Sequence, residues 1–109
     1  MPNVTSIEGT AVVANGGTIS TPFAVDGMAR GSFSIPAALT SVAVTFQISN
    51  DQGVTYTALY NSSNTQISIT VAASRAYPLP AELFGATYAR MVFGSAEGAE
   101  RTIKYSLTD

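Results

Sequence analysis

The 109-residue chain contains no cysteine, no histidine and no tryptophan. Without cysteine, no disulfide or thiolate metal site contributes, and the redox compartment leaves no mark on the sequence. Without histidine, the usual general base near neutral pH and the commonest metal ligand are both missing. Charge is scarce as well. Five Lys and Arg against seven Asp and Glu give a net charge of -2, with 11% charged residues, where soluble domains carry about 25%. Five basic residues cannot neutralise a long run of phosphates, so no nucleic-acid partner is expected. No apolar run is long enough to span a bilayer as a helix, so no membrane partner is expected. The start, MPNVTSIEGT, lacks the basic and apolar regions of a secretory signal, although a processed chain would look the same. The sequons at Asn3 and Asn61 are accordingly read as chance.

Apolar residues make up 46% of the chain, and Ser and Thr supply much of the remainder. A surface this poor in charge opposes self-contact weakly, because little ionic desolvation or repulsion stands in the way. The composition therefore points to a protein that works in an assembly.

Alternation runs from end to end. Val42, Val44, Phe46 and Ile48 share one face, with Ala43, Thr45 and Gln47 on the other. Ile67, Ile69 and Val71 alternate with Gln66, Ser68 and Thr70, and Ile103, Tyr105 and Leu107 oppose Thr102, Lys104 and Ser106. A period of two marks half-buried strands. Further strands are predicted near Thr10 to Ala14, Thr18 to Val25, Arg30 to Ile35, Thr55 to Tyr60 and Thr87 to Phe93. Between them stand turn signals such as Asn15-Gly16-Gly17, Asp26-Gly27 and Asn50-Asp51-Gln52-Gly53. Tyr77 to Pro80 reads as a Pro-containing loop, and Pro80 to Phe84 as a short helical turn. The expected fold is all-β, an antiparallel β-sandwich or jelly roll of about seven to eight short strands. The length predicts one domain over residues 1–109, with residues 1–8 as a polar N-terminal arm or a first edge strand.

The stretch VTFQISNDQGVTYTALYN reads as a hairpin whose Asn50 to Gly53 turn has Gly53 in the left-handed position and Asp51 or Asn50 as its cap. A calcium loop would need several spaced oxygen side chains and a distal Glu, which do not follow. The carboxylates Glu97, Glu100 and Asp109 are expected as solvated surface charge. No nucleophile elbow, phosphate-cradling loop or zinc spacing is present, so no catalytic residue, cofactor or metal site is expected. A carboxylate pair of the glycosidase kind is the one catalytic alternative that spacing leaves open.

The candidate interaction residues are Arg75, Tyr77, Tyr88 and Arg90. In TYARMVFG, Arg90 shares a face with Tyr88 and Val92, while Ala89, Met91 and Phe93 take the other. Arg beside Tyr suits a contact surface, because both bring planar area and directed hydrogen bonds. The alternative is that Arg90 stacks over Tyr88 or pairs with an acid of its own chain. Tyr56, Tyr60 and Tyr77 are read either as a sugar platform or as closures of the core ends.

FQISNDQGVTYTALYN, YPLPAELFGATYARMVFG and ERTIKYSLTD together resemble small β-sandwich accessory proteins of tailed-bacteriophage virions, of the capsid decoration (cement) kind. The shared pattern is a strand into an Asn/Asp-Gly turn, an aromatic-bearing strand, a Pro-containing loop, a Tyr-x-Arg strand and an Arg-initiated last strand. It covers about the last two-thirds of the chain. The resemblance implies a non-enzymatic protein on the phage capsid surface. Its implied partners are the major capsid protein or other virion proteins, and its implied form is a homotrimer. Baseplate, tail and head-fibre positions are the neighbouring expectations. The same layout is similar, more weakly, to discoidin-like and carbohydrate-binding jelly rolls, which implies glycan binding or host attachment. Here Gln52 precedes Gly53, Tyr56 stands where those modules carry Trp, and Ala89 separates Tyr88 from Arg90.

Overall fold

The structure is a computed structural model and describes residues 6–109. Nine strands, all paired antiparallel, form two sheets among these residues. In chain order they are β1 (Ser6–Val13), β2 (Phe23–Ala24), β3 (Arg30–Ser34), β4 (Ala43–Ser49), β5 (Thr57–Ala58), β6 (Ser68–Thr70), β7 (Ala76–Pro78), β8 (Tyr88–Phe93) and β9 (Arg101–Thr108). One sheet runs β1-β9-β3-β7. The other runs β2-β8-β4, with β5 and β6 sharing the far edge of β4. With β5 and β6 taken as one interrupted strand, the pairs nest: first with last, second with second-last, third with third-last, and the middle two together. That nesting is a jelly roll, and the expected β-sandwich is the fold observed.

Alternation aims the core inward as the sequence predicts. Val44 and Phe46 of β4, Ala89, Met91 and Phe93 of β8, and Ile103 and Leu107 of β9 are all buried. Phe33 from the first sheet meets Phe46 from the second edge-on, with ring centroids 6.1 Å apart. Phe23 stacks on Tyr105 at 4.6 Å, which ties β2 to β9 across the sandwich. Burying each such ring stabilises the fold by roughly 1.5–3 kcal/mol, so these pairs hold the sheets face to face.

Several expectations shift. The stretch expected as a strand over Thr18 to Val25 pairs regularly only at Phe23–Ala24, although bridges join Ser20 to Val13 and Ile19 to Val92. Pro22 lacks the N–H that a continuous ladder needs. Val42 is 68% exposed, because β4 begins one residue later. The Pro-containing loop includes β7, an edge strand whose Pro78 lies opposite Ser32; an edge is where a sheet tolerates proline. The helical turn is present as one 3₁₀ turn over Ala81–Leu83, with Leu83 fully buried. Ser6 to Glu8, expected as arm or edge strand, continue β1 opposite Ser106 to Thr108; residues 1–5 lie outside the described residues.

Candidate functional site

The outer face of the second sheet is built by register. Gln47 of β4 lies directly opposite Arg90 of β8 and, on its other side, opposite Ala58 of β5. The period of β8 puts Tyr88, Arg90 and Val92 outward, each half-buried, as predicted from the sequence. The chain between β4 and β5 then returns Tyr56 to the same face. Its ring lies 4.1 Å from the Arg90 guanidinium carbon, and Arg90 Nε donates to Gln47 Oε1 at 2.7 Å. Arg90 thus stacks on Tyr56 and not on Tyr88, the tyrosine expected from its own strand, because the β4–β5 connection returns Tyr56 to this face.

The loop that delivers Tyr56 is longer than a tight hairpin turn. Regular pairing stops at Ile48 opposite Thr57, so the chain detours through residues 49–56. Gly53 takes the expected positive φ of 87°, but Gln52 also turns left-handed at 64°. Thr87 holds the loop down: Gln52 N donates to Thr87 Oγ1 at 3.2 Å, and Thr87 Oγ1 and Thr87 N each donate to the Ser49 carbonyl at 2.9 Å. Asp51 is the internal cap. Its Oδ1 accepts from Ser49 Oγ at 2.7 Å and from Thr55 N at 2.9 Å, and its Oδ2 accepts from Thr55 Oγ1. Hydrogen bonds from the Thr55 hydroxyl first, then the Thr55 N–H and the Ser49 hydroxyl, hold its carboxyl at about 2, below the ordinary 3.8.

The other candidate residues lie elsewhere. Tyr77, on β7 of the first sheet, packs against Phe33 with centroids 5.9 Å apart, and its hydroxyl accepts from Ala72 N at 2.9 Å. Arg75 is exposed in the turn before β7, where its carbonyl accepts from Ile35 N at 2.7 Å. Tyr88 and Arg90 therefore share one face, while Arg75 and Tyr77 belong to the edge of the opposite sheet. Tyr60, 50% exposed, lies at the β5–β6 reversal, and Tyr77 belongs to the other sheet, so the three tyrosines form no common platform.

Glu97 departs most from expectation. Read from the sequence as a solvated charge, it is 1% exposed. Its carboxylate accepts from Thr40 N at 3.0 Å, Ser41 N at 3.0 Å, Thr40 Oγ1 at 3.0 Å, Ser41 Oγ at 2.8 Å and Arg101 Nε at 2.9 Å. Its main-chain carbonyl accepts from Gly16 N at 2.8 Å. Burial acts to raise its pKa, but Arg101 and the donors from Thr40 and Ser41 prevail and hold it at about 2, below the ordinary 4.5. Five donor groups occupy the carboxylate, so Glu97 joins three loops and offers little to a ligand. Among the described residues, no cluster of three or more His, Cys, Asp or Glu is arranged to hold a metal ion.

The outer face of the first sheet is polar and shallow. Glu8, Ser32, Ser34, Lys104 and Ser106 line one depression, and Lys104 borders two more. Short serine side chains on adjacent strands form much of its lining, and Tyr105 borders it as well.

No family model and no curated protein matches the chain. Its fold is similar to that of the SPBc2 prophage-derived protein YomS, known from a crystal structure. The TM-score is 0.67 and the identity 17%, over 100% of this chain and 97% of that one. At that identity the likeness establishes a common fold across the whole length.

Proposed function

We propose that this chain is a non-enzymatic structural protein of a phage particle, and that it acts there as a head decoration (cement) protein. In this reading it is a homotrimer, and it binds the major capsid protein at symmetry-related sites. The observation that supports it most is the end-to-end fold match to a prophage-derived protein. Low surface charge and two open, weakly charged sheet faces are in keeping with a protein that works by contact. A trimer presents every contact three times, so modest individual affinities combine once one contact has formed.

Co-sedimentation with heads of the encoding phage, prepared without this chain, tests the reading. Saturable binding at a fixed stoichiometry to the major capsid protein is expected. Binding to purified tails with none to heads would overturn the head assignment. Absence from intact particles by mass spectrometry would overturn the particle assignment altogether.

A further inference from the structure

We infer that Arg90, Tyr56 and Gln47 form a preset receptor for a single carboxylate, and that its occupant is an Asp or Glu side chain of a protein partner. The inference deepens the contact role proposed above and rests on it for the nature of the partner.

Two restraints fix the guanidinium. Tyr56 supports one of its faces at 4.1 Å, and Gln47 Oε1 accepts from Nε at 2.7 Å. An arginine carries five N–H donors, and among the described residues Nε alone has a protein acceptor. The Nη donors keep their hydrogen-bonding capacity, and no carboxylate of the described residues pairs with Arg90; the ion pair found among them is Arg101 with Glu97. The result is an oriented, un-neutralised, half-buried cation. Holding it so in advance removes much of the ordering cost that a flexible arginine would meet on binding.

The surroundings select the ligand. Among the described residues Arg90 is the one cationic side chain on this face: Arg30 and Lys104 lie on strands of the other sheet, Arg75 in the turn before β7, and Arg101 is committed to Glu97. One guanidinium balances one carboxylate and can meet it with two parallel hydrogen bonds. A phosphate dianion would stay half-neutralised. The neighbours across the ladder are short, Ala24 opposite Tyr88 and Ala58 opposite Gln47, so a partner side chain has room to approach. A sugar would need an open aromatic face, and Arg90 covers one face of Tyr56. The setting therefore favours a protein carboxylate over a glycan.

The test is an NMR titration of the isotope-labelled full chain, read at the Arg90 Nε–H and the Tyr56 ring. The probe is N-acetylglutamate N-methylamide, with N-acetylglutamine N-methylamide as its uncharged counterpart. Saturable shifts with the first and none with the second are expected. Affinity should fall at least fivefold in Arg90→Lys, which keeps the charge but loses the fork, and in Tyr56→Leu, with unchanged backbone spectra confirming the fold. An equal response to both probes, tighter binding of inorganic phosphate, or comparable shifts with galactose would each overturn the inference. The galactose result would assign the face to glycan recognition instead. A carboxylate response without head binding would leave the receptor standing and sink the particle reading; head binding with no carboxylate response would sink only the receptor.

Discussion

Arg101 Nε lies 2.9 Å from Glu97 Oε1 across four residues, and the carboxylate it meets is buried beneath the 39–41 loop. The pair links the last strand to two loops from other parts of the chain. Removing Arg101 leaves a buried charge with weaker compensation, and removing a partner of that kind costs about 3–5 kcal/mol. Arg101→Ala is expected to fall toward the low end of that range, since main-chain N–H and hydroxyl donors remain on Glu97. Urea unfolding should show it as a lower midpoint at unchanged slope. A loss below about 0.5 kcal/mol would mean that the pair behaves as a surface contact.

The same carboxylate sets an acid limit. Glu97 and Asp51 both sit at about 2 when folded, against ordinary values of 4.5 and 3.8. A lowered folded pKa gives stability that is fully present above the unfolded value and is lost as pH falls through the folded one. Stability should therefore be flat from neutral pH down to about 5 and drop between about 4.5 and 2. Glu97→Gln should be less stable at pH 7 and show a shallower acid decline. Equal acid slopes in the two proteins would remove Glu97 from the explanation.

Two glycines test how tightly the first sheet is packed. A Cβ on Gly9 would meet the Tyr105 hydroxyl oxygen at 2.5 Å, and one on Gly31 would meet the Ser106 carbonyl at 2.5 Å. The first obstacle is the end of a side chain and the second is backbone of the neighbouring strand. Gly31→Ala is thus expected to be the worse, at about 3 kcal/mol or more, and Gly9→Ala to cost about 1–2 kcal/mol. Thermal unfolding of both variants gives the order directly, and the reverse order would contradict the packing described.

On the opposite face, Arg90→Ala removes a stacked cation and one hydrogen bond from a half-exposed position. Folding should weaken by about 1 kcal/mol or less, while self-association or head binding should weaken tenfold or more. Denaturant unfolding and binding measured on the same preparation separate the two effects. An unchanged oligomer together with unchanged head binding would take Arg90 out of the contact surface.

Where strands alternate, the sequence was a sufficient guide. The phase of β8 follows from TYARMVF alone, since a period of two leaves one choice once Met91 and Phe93 must be inward. β7 was hidden by Pro78, which argues against a strand unless its place at a sheet edge is known. Glu97 is hidden because its partners, Thr40 and Ser41, lie 57 and 56 residues away and act through main-chain N–H groups as much as through their hydroxyls. The available signals were a lone acid within Gly94-Ser95-Ala96-Glu97-Gly98-Ala99 and an arginine four residues on. The sequence leaves Tyr56 as a sugar platform or a core end, because only the pairing of Gln47 with Arg90 brings it under the guanidinium. Long-range register decides that placement, and local pattern carries no trace of it.

The most direct test of self-association as the basis of function is solution mass by light scattering over a wide dilution series. A mass near three times 11.3 kDa that survives dilution is expected. A species of 11.3 kDa at every concentration would contradict the trimer.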